Sequence, residues 1–98
     1  MLYPFMTLPD ETEIVHSEII MKDKQETVKV YIERPIDGGF ASATCWLPDY
    51  TWENITDFSP QDIDYFSDII HSGAHLFFEF ARAGGRRSSF HIENHTLL

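Results

Sequence analysis

Four side chains at helical spacing carry metal-ligand chemistry: Asp68, His71, His75 and Glu79. His71 and His75 stand four residues apart, Glu79 follows at the same interval, and Asp68 lies one turn before His71. On a helix all four project from one strip, and imidazole with carboxylate suits zinc or nickel. A solvated polar face opposite Phe66 and Ile70 explains the same pattern and is the favoured reading. A structural or catalytic site draws a further ligand from another element, and the H-x-x-x-H spacing lacks the Glu that a metalloprotease helix places beside its first His. His91 and His95 repeat the spacing in the tail, but on a strand they fall about 13 Å apart, too far to chelate one ion.

Cys45 is the only cysteine, which rules out an intrachain disulfide and any Cys-rich metal centre. It falls in an alternating Ala-Ser-Ala-Thr-Cys run on the side expected to face a helix, so burial is expected and nucleophilic duty is not. Asp64 and Asp68 share a helix face that Asp62 does not, and neither has an apolar neighbour there to raise its pKa. Ser59, Ser67 and Ser72 have cap or helix-surface explanations without a Gly-x-Ser-x-Gly elbow. Gly38-Gly39 and Gly84-Gly85 lack the residues that turn a glycine pair into a phosphate cradle. No catalytic constellation emerges and no cofactor is expected. The residues point to binding.

Charge says what kind. Seven Lys and Arg against sixteen Asp and Glu give a formal charge of −9, and no basic residue occurs between Arg34 and Arg82. That stretch carries Asp37, Asp49, Glu53, Asp57, Asp64 and Asp68, a set expected to repel phosphate backbones and attract a basic protein partner. Direct nucleic-acid binding through this region is therefore not expected. The apolar start, residues 1 to 9, lacks a basic n-region and is interrupted by Pro4, so it is read as neither signal peptide nor membrane span; a cytoplasmic location is the default.

The elements that must carry these residues follow from periodicity. Ninety-eight residues at 43% hydrophobic supply one core, so a single domain is expected. Residues 1–13 are read as an N-terminal arm. Residues 14 to 22 form a first strand, rich in β-branched types. Val28, Val30 and Ile32 alternate with Lys29, Tyr31 and Glu33, the period of a half-buried strand. Pro35 and Asp37-Gly38-Gly39 turn the chain into a third strand, Phe40 to Leu47, completing a meander over 14–47. Residues 48–58 mix aromatic and polar types without a period and are read as an ordered loop. Ser59 as cap, Pro60 and Asp62 open a helix over 59–83, with Phe58 poised to pack on Ile63; Ile63, Phe66, Ile70, Ala74, Phe77 and Ala81 form its buried stripe. Residues 84–98 are a tail, with Ser89 to Glu93 offering a short fourth strand.

The expected architecture is α+β, a three-stranded antiparallel meander packed on one long C-terminal helix in the order β-β-β-α, with that optional last strand. One helix leaves the other sheet face bare. Tyr31, Phe40 and Trp46 are expected there, joined by Phe5 of the arm, as a homodimer interface.

The meander-then-helix order, Ile32-Glu33 ahead of Asp37-Gly38-Gly39-Phe40, and Leu47-Pro48 closing the next strand resemble the small HicB-type antitoxin domain over roughly residues 28 to 83. The chain departs from that pattern at residues 49 to 58 and in having no DNA-binding segment after the helix. The resemblance implies a protein that masks a basic nuclease or toxin. Three functions are thus carried forward: an acidic, inhibitor-like or nucleic-acid-mimicking interaction module, a structural homo-oligomer, and a metal or small-ligand binder using the helix strip.

Overall fold

A computed structural model describes residues 1–84. It is α+β, with six antiparallel strands and one helix: β1 (Leu2–Thr7), β2 (Glu13–Ser17), β3 (Ile20–Lys22), β4 (Gln25–Ile36), β5 (Gly39–Leu47), β6 (Thr51–Thr56) and α1 (Pro60–Arg82). The order across the sheet is β1-β2-β4-β5-β6, with β3 pairing to the start of β4. The expected meander of three strands understates this sheet. The expected tail strand, Ser89 to Glu93, lies outside the described residues, as do Arg86, Arg87, His91 and His95.

β4 is the spine. Its alternation buries Val28, Val30 and Ile32 beneath the helix, and nine consecutive pairings to β5, from Val28↔Leu47 to Ile36↔Gly39, set Ala41, Ala43, Cys45 and Leu47 on the same face. Small residues there let α1 approach closely, with Phe66, Ile70, Gly73, Phe77, Phe80 and Ala81 turned inward. Gly73, rather than Ala74, occupies the centre of that stripe. A Cβ at Gly73 would stand 3.3 Å from Cζ of Phe5, so the glycine is what lets the Phe5 ring lie against the helix.

Three elements depart from the sequence expectation, each because a local irregularity hides the period. The N-terminal arm is strand β1, paired to β2 from Leu2↔Ser17 to Thr7↔Glu13 with a register shift between Pro4 and Met6. Among the described residues β1 is an edge strand, a position at which proline is tolerated. The run from 14 to 22 is two strands, because the register to β4 slips by one residue between His16↔Val30 and Ile20↔Thr27. At the slip Ser17 Oγ accepts a hydrogen bond from the Lys29 amide at 3.0 Å, standing in for the lost backbone partner. The segment read as an aromatic loop contains β6, whose pattern is scrambled by a bulge opposite β5 and by Asn54 at φ 55°. β5 reaches β6 through a cis Leu47–Pro48 peptide and Tyr50 at φ 58°.

The helix start is a capping box: Ser59 Oγ accepts from the Asp62 amide and Asp62 Oδ2 accepts from the Ser59 amide, both at 3.0 Å. Phe58, just outside the cap, is buried and meets Phe66 edge-on with centroids 4.9 Å apart. At the other end Gly84 takes φ 68° and its amide donates to the Ala81 carbonyl. Arg82 is ion-paired to Glu26 at 2.7 Å across to β4.

Candidate interaction surface

The helix covers one face of the sheet; the outward side chains of β2, β4, β5 and β6 build the other. Register places them in rows. Lys29, Trp46 and Thr51 form one, Val15, Tyr31, Thr44 and Glu53 the next, then Glu13, Glu33, Ser42 and Thr56, with Pro35 and Phe40 beyond. The centre is not bare: Tyr31 and Trp46 are half-buried and Thr44 between them is buried, so these side chains close over the sheet themselves. Lys22 Nζ stands 4.1 Å over the Trp46 ring and Glu53 accepts from the indole N–H at 3.0 Å, which fixes the ring in place.

The acidic end of this face is different. Glu13 and Glu33 are direct cross-strand partners, so two carboxylates project side by side from β2 and β4. Like charges in that position oppose strand pairing. Glu11, held at φ 70° in the β1–β2 connection, adds a third carboxylate. With Thr7, Pro35 and Phe40 these three line a depression of about 260 Å³. Glu33 accepts a hydrogen bond from the Tyr31 hydroxyl at 3.1 Å, but no salt bridge to Glu11, Glu13 or Glu33 is formed among the described residues. Phe40 on its rim is 57% exposed.

The cation nearest in sequence, Arg34, is turned away from this depression. On the helix side of β4 its Nε donates to Thr12 Oγ1 at 2.8 Å and contacts Asp10 at 3.2 Å, Nη1 lies 3.6 Å from Asp62, and the guanidinium covers the Phe58 and Phe66 rings. The Thr12 hydroxyl, with its amide and Arg34 adding to the effect, holds the Asp10 carboxyl below the usual carboxylate range. Asp62 is lowered first by the Ser59 amide and further by Arg34.

The acids expected to form one partner-binding surface do not lie together. Asp37 is at the tip of the β4–β5 hairpin and Asp49 follows the opposite end of β5, a separation of about 30 Å for nine strand residues. Asp57 follows β6 at the hairpin-tip end, Glu53 is occupied by Trp46, and Asp64 and Asp68 are exposed on α1, across the sheet from the open face. Asp68 borders an apolar groove of about 440 Å³ between β1 and α1. The acids that do converge, Glu11, Glu13 and Glu33, precede the 37–79 tract. Only Glu33 left a local trace, as the wet position of an alternating strand.

The expected oligomer interface is corrected in one member. Tyr31, Trp46 and Phe40 lie on the open face, but Phe5 is 2% exposed beneath α1, stacked on Phe77 with centroids 4.0 Å apart. The metal strip is not assembled either. His71 lies flat on the Tyr50 ring, centroids 3.7 Å apart and planes within 9°, and no group of three or more His, Cys, Asp or Glu among the described residues is placed to hold a metal ion.

Cys45 is fully buried, and burial pushes its thiol up to about 12. Native protein is therefore expected to react with a thiol reagent such as DTNB only as fast as it opens. Labelling in urea should be complete in seconds, whereas equally fast labelling of the native state would show the thiolate to be accessible.

The fold and surface define an α+β protein in which a single helix covers one side of a six-stranded antiparallel sheet and the other side presents an acidic, aromatic-rimmed end. No helix among the described residues is long and apolar enough to cross a membrane. Comparison with protein-family models, with curated proteins and with solved structures finds no match to this chain.

Proposed function

We propose that this protein is a small acidic interaction module that docks on a basic protein partner through the open sheet face, as an inhibitor or antitoxin-like molecule would. The observation that supports the reading is the side-by-side placement of Glu13 and Glu33, with no salt-bridging cation among the described residues, beside an exposed phenylalanine. Such an arrangement opposes folding locally and is relieved when an Arg or Lys side chain enters, its stem on Phe40 and its charge between the carboxylates. An isologous homodimer centred on the same patch would set carboxylates against carboxylates, which favours a partner of opposite sign over a second copy. Asp49 at the far end of β5, and Asp64 and Asp68 on α1, would need a partner on other parts of the surface.

The test is affinity capture from the native host with two baits, the natural protein and Glu13→Gln/Glu33→Gln. A basic protein retained by the first, released by raising salt, and depleted at least tenfold on the second is the expected result. Identical recovery on both baits, or a retained partner of acidic character, would reject this surface. Light scattering of the free protein at micromolar concentration should return a monomer.

A further inference from the structure

His16 faces the core from β2 and is 0% exposed. Its ring nitrogens are unequal. Nδ1 donates to the Ser17 carbonyl at 2.7 Å, so Nε2 carries the lone pair, and Nε2 is buried without a hydrogen-bond partner among the described residues. Aromatic rings surround it: Tyr3 at 5.8 Å and Phe5 at 6.5 Å from β1, Phe77 at 5.9 Å and Phe80 at 6.4 Å from α1, centroid to centroid. Across the ladder β4 offers Val30. The titratable group in this set is the Tyr3 phenol. The nearest carboxylate in sequence, Glu18, lies 3.5 Å from the Met1 amino group, and Lys29 of β4 projects from the opposite sheet face.

A neutral imidazole fits this cage and an imidazolium does not. Protonation would place a charge and a new N–H donor where none of the described residues offers an acceptor. The quadrupoles of the surrounding rings return only part of the solvation lost, because an unpaired buried charge is far more costly than a cation–π contact is favourable. The weakest boundary of the cage is β1. Among the described residues it is an edge strand paired only to β2, it contains Pro4 and a register shift, and its Tyr3 and Phe5 rings form one side of the cage. Edges of this kind open at lower free energy than a central ladder.

From this geometry we infer that His16 is an acid-sensitive latch: protonating it releases β1 from β2 and α1, uncovering the edge of β2 and the aromatic pocket beneath. The sign follows from burial. Desolvation lowers the folded-state affinity of His16 for a proton, opposed in part by the bond to Ser17. Its stabilising effect is fully present above the ordinary imidazole pKa and is lost as pH falls below it.

Amide exchange at several pH values on the full chain reads this directly. Protection factors, already corrected for the intrinsic exchange rate, should fall in β1 by about tenfold per pH unit below ~6.5, while those of the β4–β5 ladder fall by much less. His16→Asn keeps a donor at the Nδ1 position and cannot ionise in this range. His16→Phe keeps the ring and provides a second non-ionising variant should the first fold poorly. Either variant should abolish the pH step in β1. Flat protection in the natural protein from pH 7.5 to 5, the same step in a folded variant, or an equal fall in β1 and the β4–β5 ladder would overturn the latch.

Discussion

Replacing Phe77 by alanine is expected to remove about 3–5 kcal/mol of folding stability. Phe77 is fully buried, stacked on Phe5 at 4.0 Å and edge-on to His16 at 5.9 Å, so it joins α1 to both β1 and β2. The hole left by its ring cannot be filled from the helix, because the neighbouring inward position is Gly73. Phe5 and His16 are held by their own strands, so the cavity relaxes only in part, and the loss should lie toward the upper end. Domains of this size have roughly 5–15 kcal/mol in all, which makes the change a large share of the total. Urea unfolding should show the midpoint reduced by ~2 M or more at unchanged slope. Phe78→Ala is the control: Phe78 is only half-buried at the margin of the core, its ring 5.5 Å from the Arg82 guanidinium, so a smaller loss of about 1–2 kcal/mol is expected. Equal losses at the two positions would show that the core is not centred where Phe5 and Phe77 meet.

Arg34→Met should destabilise by about 2 kcal/mol. One well-directed hydrogen bond, Nε to Thr12 Oγ1 at 2.8 Å, supplies most of that, since the fully buried Thr12 hydroxyl loses its donor and keeps only its own bond to Asp10. The two carboxylate contacts add little, because Asp10 is half exposed and Asp62 stands 3.6 Å away. Methionine retains apolar cover over Phe58 and Phe66 but not the cation–π attraction. The pH dependence separates these contributions. Asp10 and Asp62 are depressed chiefly by Thr12 and Ser59, so the stability they supply is present above the usual carboxylate range and is lost as pH falls through their lowered values. Most of that acid-linked loss should survive in Arg34→Met. A variant whose stability no longer changes between pH 5 and 3 would instead make the guanidinium the main cause.

How far the fold could be read in advance depended on whether each element's signal was local. The β4–β5 hairpin was legible because Val28, Val30 and Ile32 alternate without interruption and Gly38-Gly39 supply the turn. The helix was legible because Ser59, Pro60 and Asp62 announce its start, and apolar residues recur at three and four. β1 was hidden by Pro4, β6 by the bulge at Asn54, and the division between β2 and β3 by a one-residue slip. In each, the strand survives because hydrogen-bonded pairing to the adjacent hairpin strand compensates for a broken pattern, and that pairing leaves no mark on the strand's own period.

The acidic surface shows the same limit more sharply. A run of acids in sequence, Asp37 to Glu79, was dispersed by the hairpin tip, the two ends of β5 and the outer face of the helix. Glu13 and Glu33 are twenty residues apart and became neighbours through one β2–β4 pairing. His16 shared the parity of Ile14, which pointed inward, yet its polar type concealed a core position.

Composition and short-range periodicity alone determined that this chain is acidic, carries one amphipathic capped helix, and has an alternating hairpin to pack it on. The tertiary structure decided how many strands the sheet has, which carboxylates meet, and which histidine is sealed from water. The physical reason is that charge, capping and amphipathicity act over a few residues, whereas cross-strand register joins distant segments and is chosen by the packing of the whole core.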